Sequence, residues 1–161
     1  MFREMRRNKQ LLSQEDILAV MERNTNGVLA CSGDDGYPYA VPLSYVYIDG
    51  AIYFHSAKVG HKVDAITADP KVSFAVVDED TIVSEEFTSR FRSVIAFGKA
   101  RIANSEERLS ALRALAEKYS GDQPQEAKDK EINECTKAIF VAIDIEHITG
   151  KQATEFFNNN D

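Results

Sequence analysis

Along the chain, the spacing of apolar positions switches between the helical and the alternating kind, and each switch marks an element. Ser13 stands ahead of Gln14, Glu15 and Asp16, after which Ile17, Leu18, Val20 and Met21 recur at helical spacing. This predicts an N-capped amphipathic helix that ends near 24–27. Val28 to Cys31 then reads as a strand, followed by the turn Gly33-Asp34-Asp35-Gly36. The returning arm, Tyr37 to Ile48, is rich in β-branched and aromatic residues but holds Pro38 and Pro42. Proline cannot donate to a ladder, so this arm has to bulge or lie at a sheet edge.

Asp49-Gly50 is a strong hairpin signal and leads into the strand Ala51 to Phe54. After Gly60, Val63, Ala65 and Ile66 suit a helix of about two turns that stops before Asp69-Pro70, because the residue preceding proline avoids the helical region. Val72, Phe74 and Val76 alternate as the next strand. The acidic stretch 78–88 reads as a connection, with nothing assigned in it beyond a short strand at Thr81 to Val83. Phe91 to Ile102 reads as a long strand in which Gly98 marks a bulge or a close backbone approach. Ser105 is the expected cap of a helix carrying Leu109, Leu112, Leu115 and Ala116 on one face, and 123–134 is polar and partly helical. Ile139, Val141, Ile143 and Ile145 form the cleanest alternation, ended by Thr149-Gly150-Lys151.

The expected architecture is a single α+β domain, mainly β, over residues 1–161: an antiparallel six-stranded barrel with flanking helices. An N-terminal arm (1–12) and a C-terminal tail (152–161) flank it, with Asn158 to Asp161 read as frayed. There is no regular βαβ alternation.

Composition removes several functions. A net charge of −7 argues against broad binding to nucleic acid or anionic lipid, and the basic cluster Arg3, Arg6, Arg7 and Lys9 is confined to the N-terminal arm. No run approaches the ~20 apolar residues of a membrane helix, so a cytoplasmic protein without membrane contact is expected. Cys31 and Cys135 fit no metal spacing and read as reduced, buried thiols. No metal site is expected, since His55 and His61 lack a carboxylate or cysteine cluster. Nucleophilic catalysis finds no Gly-x-Ser-x-Gly elbow, and His147 reads as a packed strand histidine.

The chemistry concentrates in Phe54-His55-Ser56-Ala57-Lys58-Val59-Gly60-His61-Lys62, where a strand gives way to a helix. A hydroxyl at the strand's end, a glycine that lets a ligand approach and a lysine in the first helical turn point to a phosphate grip by Ser56 and Lys62. An exposed helix end supplies only ~0.3–1 kcal/mol per charge, whereas micromolar binding takes ~8 kcal/mol, so a further platform is needed. The proline-broken arm Pro42-Leu43-Ser44-Tyr45, with free backbone groups, offers one for a flat ring system.

Taken with Gly36 to Tyr45, Asp69-Pro70-Lys71-Val72, Arg92 to Gly98 and Ile148 to Lys151, this stretch resembles the flavin-binding split barrels related to pyridoxamine 5′-phosphate oxidase, within them the nitroimidazole-resistance-like branch. The resemblance spans about Ser13 to Lys151. It implies FMN, with phosphate held by Ser56, Ala57, Gly60, His61 and Lys62 and the ring along Val41, Pro42, Leu43, Ser44 and Tyr45 close to His55. Ser93 and Val94 would lie near the cofactor. A homodimer with flavin at the subunit interface is implied, reducing a small acceptor, nitroaromatic compounds included, with NAD(P)H as a candidate donor. His55 is the residue expected to act at the ring; the alternative is a non-enzymatic flavin or haem binder. Position 61 is often arginine in such proteins, and a histidine there is a weaker, pH-dependent phosphate partner. The chain also has no Trp and lacks the C-terminal Arg- and Trp-containing segment of true vitamin B6 oxidases, so activity on pyridoxamine phosphate is not expected.

Overall fold

A computed structural model describes residues 2–156, so Asn158 to Asp161 lie outside the described residues. Among the described residues, seven strands form one antiparallel sheet: β1 (Asn26–Ser32), β2 (Pro38–Ser44), β3 (Val46–Ile48), β4 (Ala51–Ser56), β5 (Lys71–Val83), β6 (Thr88–Ile102) and β7 (Ile139–Gln152). Their order is β2-β1-β5-β6-β7-β4-β3. The helices are α1 (Gln14–Arg23), α2 (His61–Ala68), α3 (Ser105–Ser120) and α4 (Gln125–Glu134).

The arm 37–48 explains why there are seven strands and not six. It divides at Tyr45: β2 pairs with β1, whereas β3 pairs with β4 at the other end of the sheet. A single stretch of chain thereby joins the two margins, and the curled sheet is closed but split. Tyr45 at the division is fully buried, packs edge-on against Phe74 at 5.1 Å and donates its hydroxyl to the Met21 carbonyl at 2.9 Å. Burial pushes its phenol well above the ordinary range, with Tyr119 and Asp78 adding to the shift. The Tyr119 hydroxyl, from the end of α3, accepts the Tyr45 N–H at 3.0 Å. The break in the ladder is thus satisfied from another element.

β2 is an edge strand, as its prolines require. Pro38 and Pro42 share one alternation, so backbone groups of that alternation, including those of Ala40 and Ser44, face the free edge rather than β1. Inside the barrel, Leu29, Ile52, Phe54, Phe74, Val76, Val94 and Val141 form the main core, which α1 and α2 cap with Val20, Met21, Ala65 and Ile66. A second core lies outside the barrel, where Ala111 and Leu112 of α3 cover Tyr53, Phe140 and Ala142.

Several expectations need correction. The stretch 78–88 is not a connection: β5 and β6 continue as a paired ribbon to Val83 and Thr88. The acidic run is accommodated because Asp78 sits at a bulge and accepts from Arg23 Nε and Asn24 Nδ2, both at 2.7 Å, and from Arg92 at 3.1 Å. The α3 cap is Asn104 and not Ser105; Asn104 and Glu107 form a capping box that Ser105 and Arg108 could not. In the C-terminal tail, Gln152 ends β7 and accepts from Arg92 Nε at 2.8 Å, and Ala153 is buried. The arm 1–12 is also partly tied down, with Leu12 buried, Leu11 bridging Lys151 and Phe2 stacked on His147 at 4.7 Å. Cys31 is buried and its thiol pushed up by burial, while Cys135 is only half-buried. Gly98 meets its expectation, since a Cβ there would come within 2.2 Å of the Asp144 carbonyl oxygen beside the β6–β7 bulge.

Candidate functional site

The split places the chemistry. β3 pairs with β4 only as far as Tyr53, so Phe54, His55 and Ser56 run on past the point where β2 has turned away. Alternation then sends His55 and Ser56 to opposite faces of β4. Ser56 lies with the buried residues, whereas His55 is exposed on the outer face, toward α3.

On the Ser56 side, Ala57, Gly60, His61, Lys62 and Tyr39 surround a depression of about 200 Å³. α2 begins here, with Gly60 as its N-cap at φ +131° and no side chain capping its first N–H groups. A Cβ on Gly60 would meet nothing within 4 Å, so the backbone is open to a ligand. Lys62 Nζ lies 5.7 Å from the Phe54 ring centroid. A hydroxyl, an ammonium and uncapped helix amides are a donor set matched to a phosphate.

His61 has a partner that sequence gave no hint of. Its ring stacks on Tyr39 at 4.1 Å, and its Nε2 is 3.7 Å from an Asp34 carboxylate oxygen. It therefore ties the β1–β2 turn to the start of α2. Tyr39 belongs to the depression and had no place among the expected ligands, although its aromatic ring in a proline-flanked strand was a usable signal.

On the His55 side, His55 and Ser44 border an apolar cavity of about 290 Å³ whose wall is built by α3 and α4. Of the expected ring platform, Pro42 and Ser44 are exposed on the outer face of β2, while Val41 and Leu43 turn inward against the core. The Tyr45 side chain belongs wholly to the core, so only its neighbourhood, and not its ring, borders the split. Ser93 and Val94 sit on β6, separated from β4 by β7; Val94 is buried in the barrel and Ser93 faces outward. One chain does not bring them to the 54–62 cluster. Among the described residues, no group of three or more His, Cys, Asp or Glu is arranged to hold a metal, and no helix is long and apolar enough to cross a membrane.

Residues 13–152 match the family model described as pyridoxamine 5′-phosphate oxidase. The chain belongs to that family. No curated protein matches the sequence. Among solved structures, a conserved hypothetical protein from Mycobacterium tuberculosis is 25% identical with a TM-score of 0.79, over 92% of this chain and 90% of that one. An FAD-binding protein from Mesorhizobium loti is 26% identical with a TM-score of 0.65, over 89% and 97% of the two chains. A candidate 5-nitroimidazole antibiotic resistance protein from Bacteroides thetaiotaomicron shares the fold at 19% identity and a TM-score of 0.74, covering 88% and 86%. Together the family model and these folds identify the curled sheet as the family's split barrel.

Proposed function

We propose that the protein is a cytoplasmic, FMN-dependent oxidoreductase that works as a homodimer and reduces a small acceptor, nitroaromatic compounds included. The observation that carries this reading is the pair of unlike subsites meeting at the end of β4: a phosphate-type donor set around Ser56, Gly60 and Lys62, and an apolar cavity beside His55. A cofactor's phosphate suits the first subsite and its flat ring the edge of β2, which leaves the second subsite to the acceptor. From Tyr39 to Ser44, the β2 edge that links them spans roughly 17 Å at strand rise. A flavin-binding neighbour at 26% identity supports the class of cofactor.

In this reading Ser56, Lys62 and the first amides of α2 hold the phosphate. The edge-facing backbone groups of Ala40 and Ser44 would hydrogen-bond the polar rim of the ring, and the side chains of Val41 and Leu43 fix β2 to the core behind it. His55 stands at the ring as proton donor or hydrogen-bond partner. When bound, the flavin would supply the electron chemistry between an NAD(P)H donor and the acceptor. The chain supplies orientation and water exclusion. The dimer is supported by the outer sheet face, where Val77, Ile95 and Phe97 are exposed close to Ser93. Burying that face against a second copy would bring Ser93 to the partner's site and cover surface that a monomer leaves wet.

The test is direct. Purified protein saturated with FMN should be yellow, sediment as a dimer and bleach under NADH or NADPH, with the colour returning on addition of the acceptor. Protein that takes up no FMN, or flavin that no donor bleaches, would overturn the reading.

A further inference from the structure

We infer that the cavity between β4, α3 and α4 is a binding site for a small, uncharged, flat apolar molecule, and that it selects against anions. This rests on the reading above only in taking the molecule bound there to be the acceptor; the pocket itself is argued from its walls. Leu112, Leu115 and Ala116 of α3 and Ile132 of α4 make its floor. At about 290 Å³ it lies at the small end of ligand pockets, which run from about 300 Å³ upward, so it suits a molecule of one or two rings.

The helix pair that walls it is held by polar ties as well as by apolar contact. α4 is largely polar; its Ile132 joins Leu115 of α3 in the second core, and the Lys128–Glu117 ion pair at 2.6 Å braces the two helices. Arg108 of α3 donates to the carbonyl of Cys135, where α4 ends. These polar ties hold the helix pair from its ends, and the recess lies between the pair and the end of β4. Close packing is the rule in protein interiors, so an apolar recess kept open by polar braces is a site rather than a packing fault.

The selectivity follows from charge. Among the described residues, Glu131 is the charged lining side chain, and neither Lys nor Arg lines the cavity. An anion would meet a carboxylate and an apolar floor with no compensating cation, a poor exchange for water. A neutral molecule loses nothing at the floor and can turn a polar group toward His55, Ser44 or Tyr119, exposed polar side chains of the lining.

The experiment uses two probes of one shape, benzamide and benzoate, and the methyl resonances of Leu112, Leu115 and Ile132. Benzamide should shift those methyls saturably in FMN-loaded protein, and benzoate should bind at least tenfold more weakly. Leu115→Trp fills the cavity and should weaken benzamide at least tenfold while FMN affinity, read by fluorescence quenching, stays within twofold; Ile132→Phe is the second filling variant should the first fail to fold. Absence of saturable shifts, benzoate binding as well as benzamide, filling variants that bind benzamide normally, or one-for-one displacement of benzamide by FMN would each overturn the inference. The two readings fail separately: FMN uptake without benzamide binding removes the pocket alone, and benzamide binding without FMN uptake removes the flavin alone.

Discussion

On one face of the end of β4, Ser56 joins a shallow, polar depression with a lysine, a glycine cap and open helix amides; on the other, His55 looks onto an apolar recess walled by two helices. The two residues are adjacent in sequence, and strand alternation alone gives them opposite surroundings. The comparison teaches that the site is built by the split and not by the motif. Were β3 to stay paired with β4 to its end, Phe54 to Ser56 would be an ordinary stretch of ladder. The two regions exist because the chain leaves β1 at Tyr45 and crosses to β4.

The largest break in the comparison is therefore expected at the division itself. Tyr45→Ala removes a fully buried ring, its hydroxyl bond to Met21 and its edge contact with Phe74. The expected loss of stability is about 3–5 kcal/mol, by the cost of deleting large core aromatics. Denaturant unfolding measures it, and FMN and benzamide binding should fall together, because both regions share this hinge. Loss of one ligand with retention of the other would mean that the two sites do not depend on the split.

A smaller and one-sided effect tells the faces apart. Ser56→Ala with Lys62→Ala should weaken FMN on the order of a hundredfold or more, since charge-assisted hydrogen bonds are worth about 1.5–3 kcal/mol each. Riboflavin, which has no phosphate, should be bound about as before. His55→Ala should do the reverse, leaving FMN affinity within about threefold and stability within about 0.5 kcal/mol, as for an exposed side chain, while slowing turnover. Flavin titrations and stopped-flow bleaching on the same preparations give both readouts. Equal weakening of FMN and riboflavin by the double variant would remove the phosphate role of Ser56 and Lys62.

How much of this was legible beforehand differs between the two faces for physical reasons. The Ser56 face is local: strand end, glycine and first helical turn fall within nine residues of sequence, and the expectation for α2 agrees with its place at His61–Ala68. The His55 face is not local, because its wall comes from Leu112, Leu115, Ala116 and Ile132, far along the chain. The apolar stripe on α3 was readable, but nothing in it says that it covers β4. The acidic run at 78–80 misled for a different reason. Its charges suggest solvent and a loop, whereas Asp78 is neutralised by Arg23 from 55 residues away, a partnership no local pattern contains.

That same carboxylate gives the smallest of the expected effects and one that sharpens the role of the hinge. Burial by itself would raise the Asp78 carboxyl, but hydrogen bonds from Arg23, Asn24 and Arg92 outweigh it and hold the group at about 2, below its ordinary 3.8. Arg23 and Asn24 end α1, whose Met21 carbonyl receives the Tyr45 hydroxyl, so Asp78 braces the helix that anchors the division. A folded-state value below the unfolded one means that stability is present above about pH 4 and is lost as pH falls toward 2. The contribution at neutral pH is about 1–2 kcal/mol, allowing for relaxation of a group near the surface. Asp78→Asn should remove it at pH 7 and leave a shallower fall in stability between pH 4 and 2 than the parent shows, measured by urea unfolding across that range. Because the brace acts on the hinge, acid should release FMN and benzamide in the same pH window. An unchanged acid limb in Asp78→Asn would place the acid sensitivity elsewhere, and release of the two ligands at separate pH values would mean that the faces of β4 are held independently.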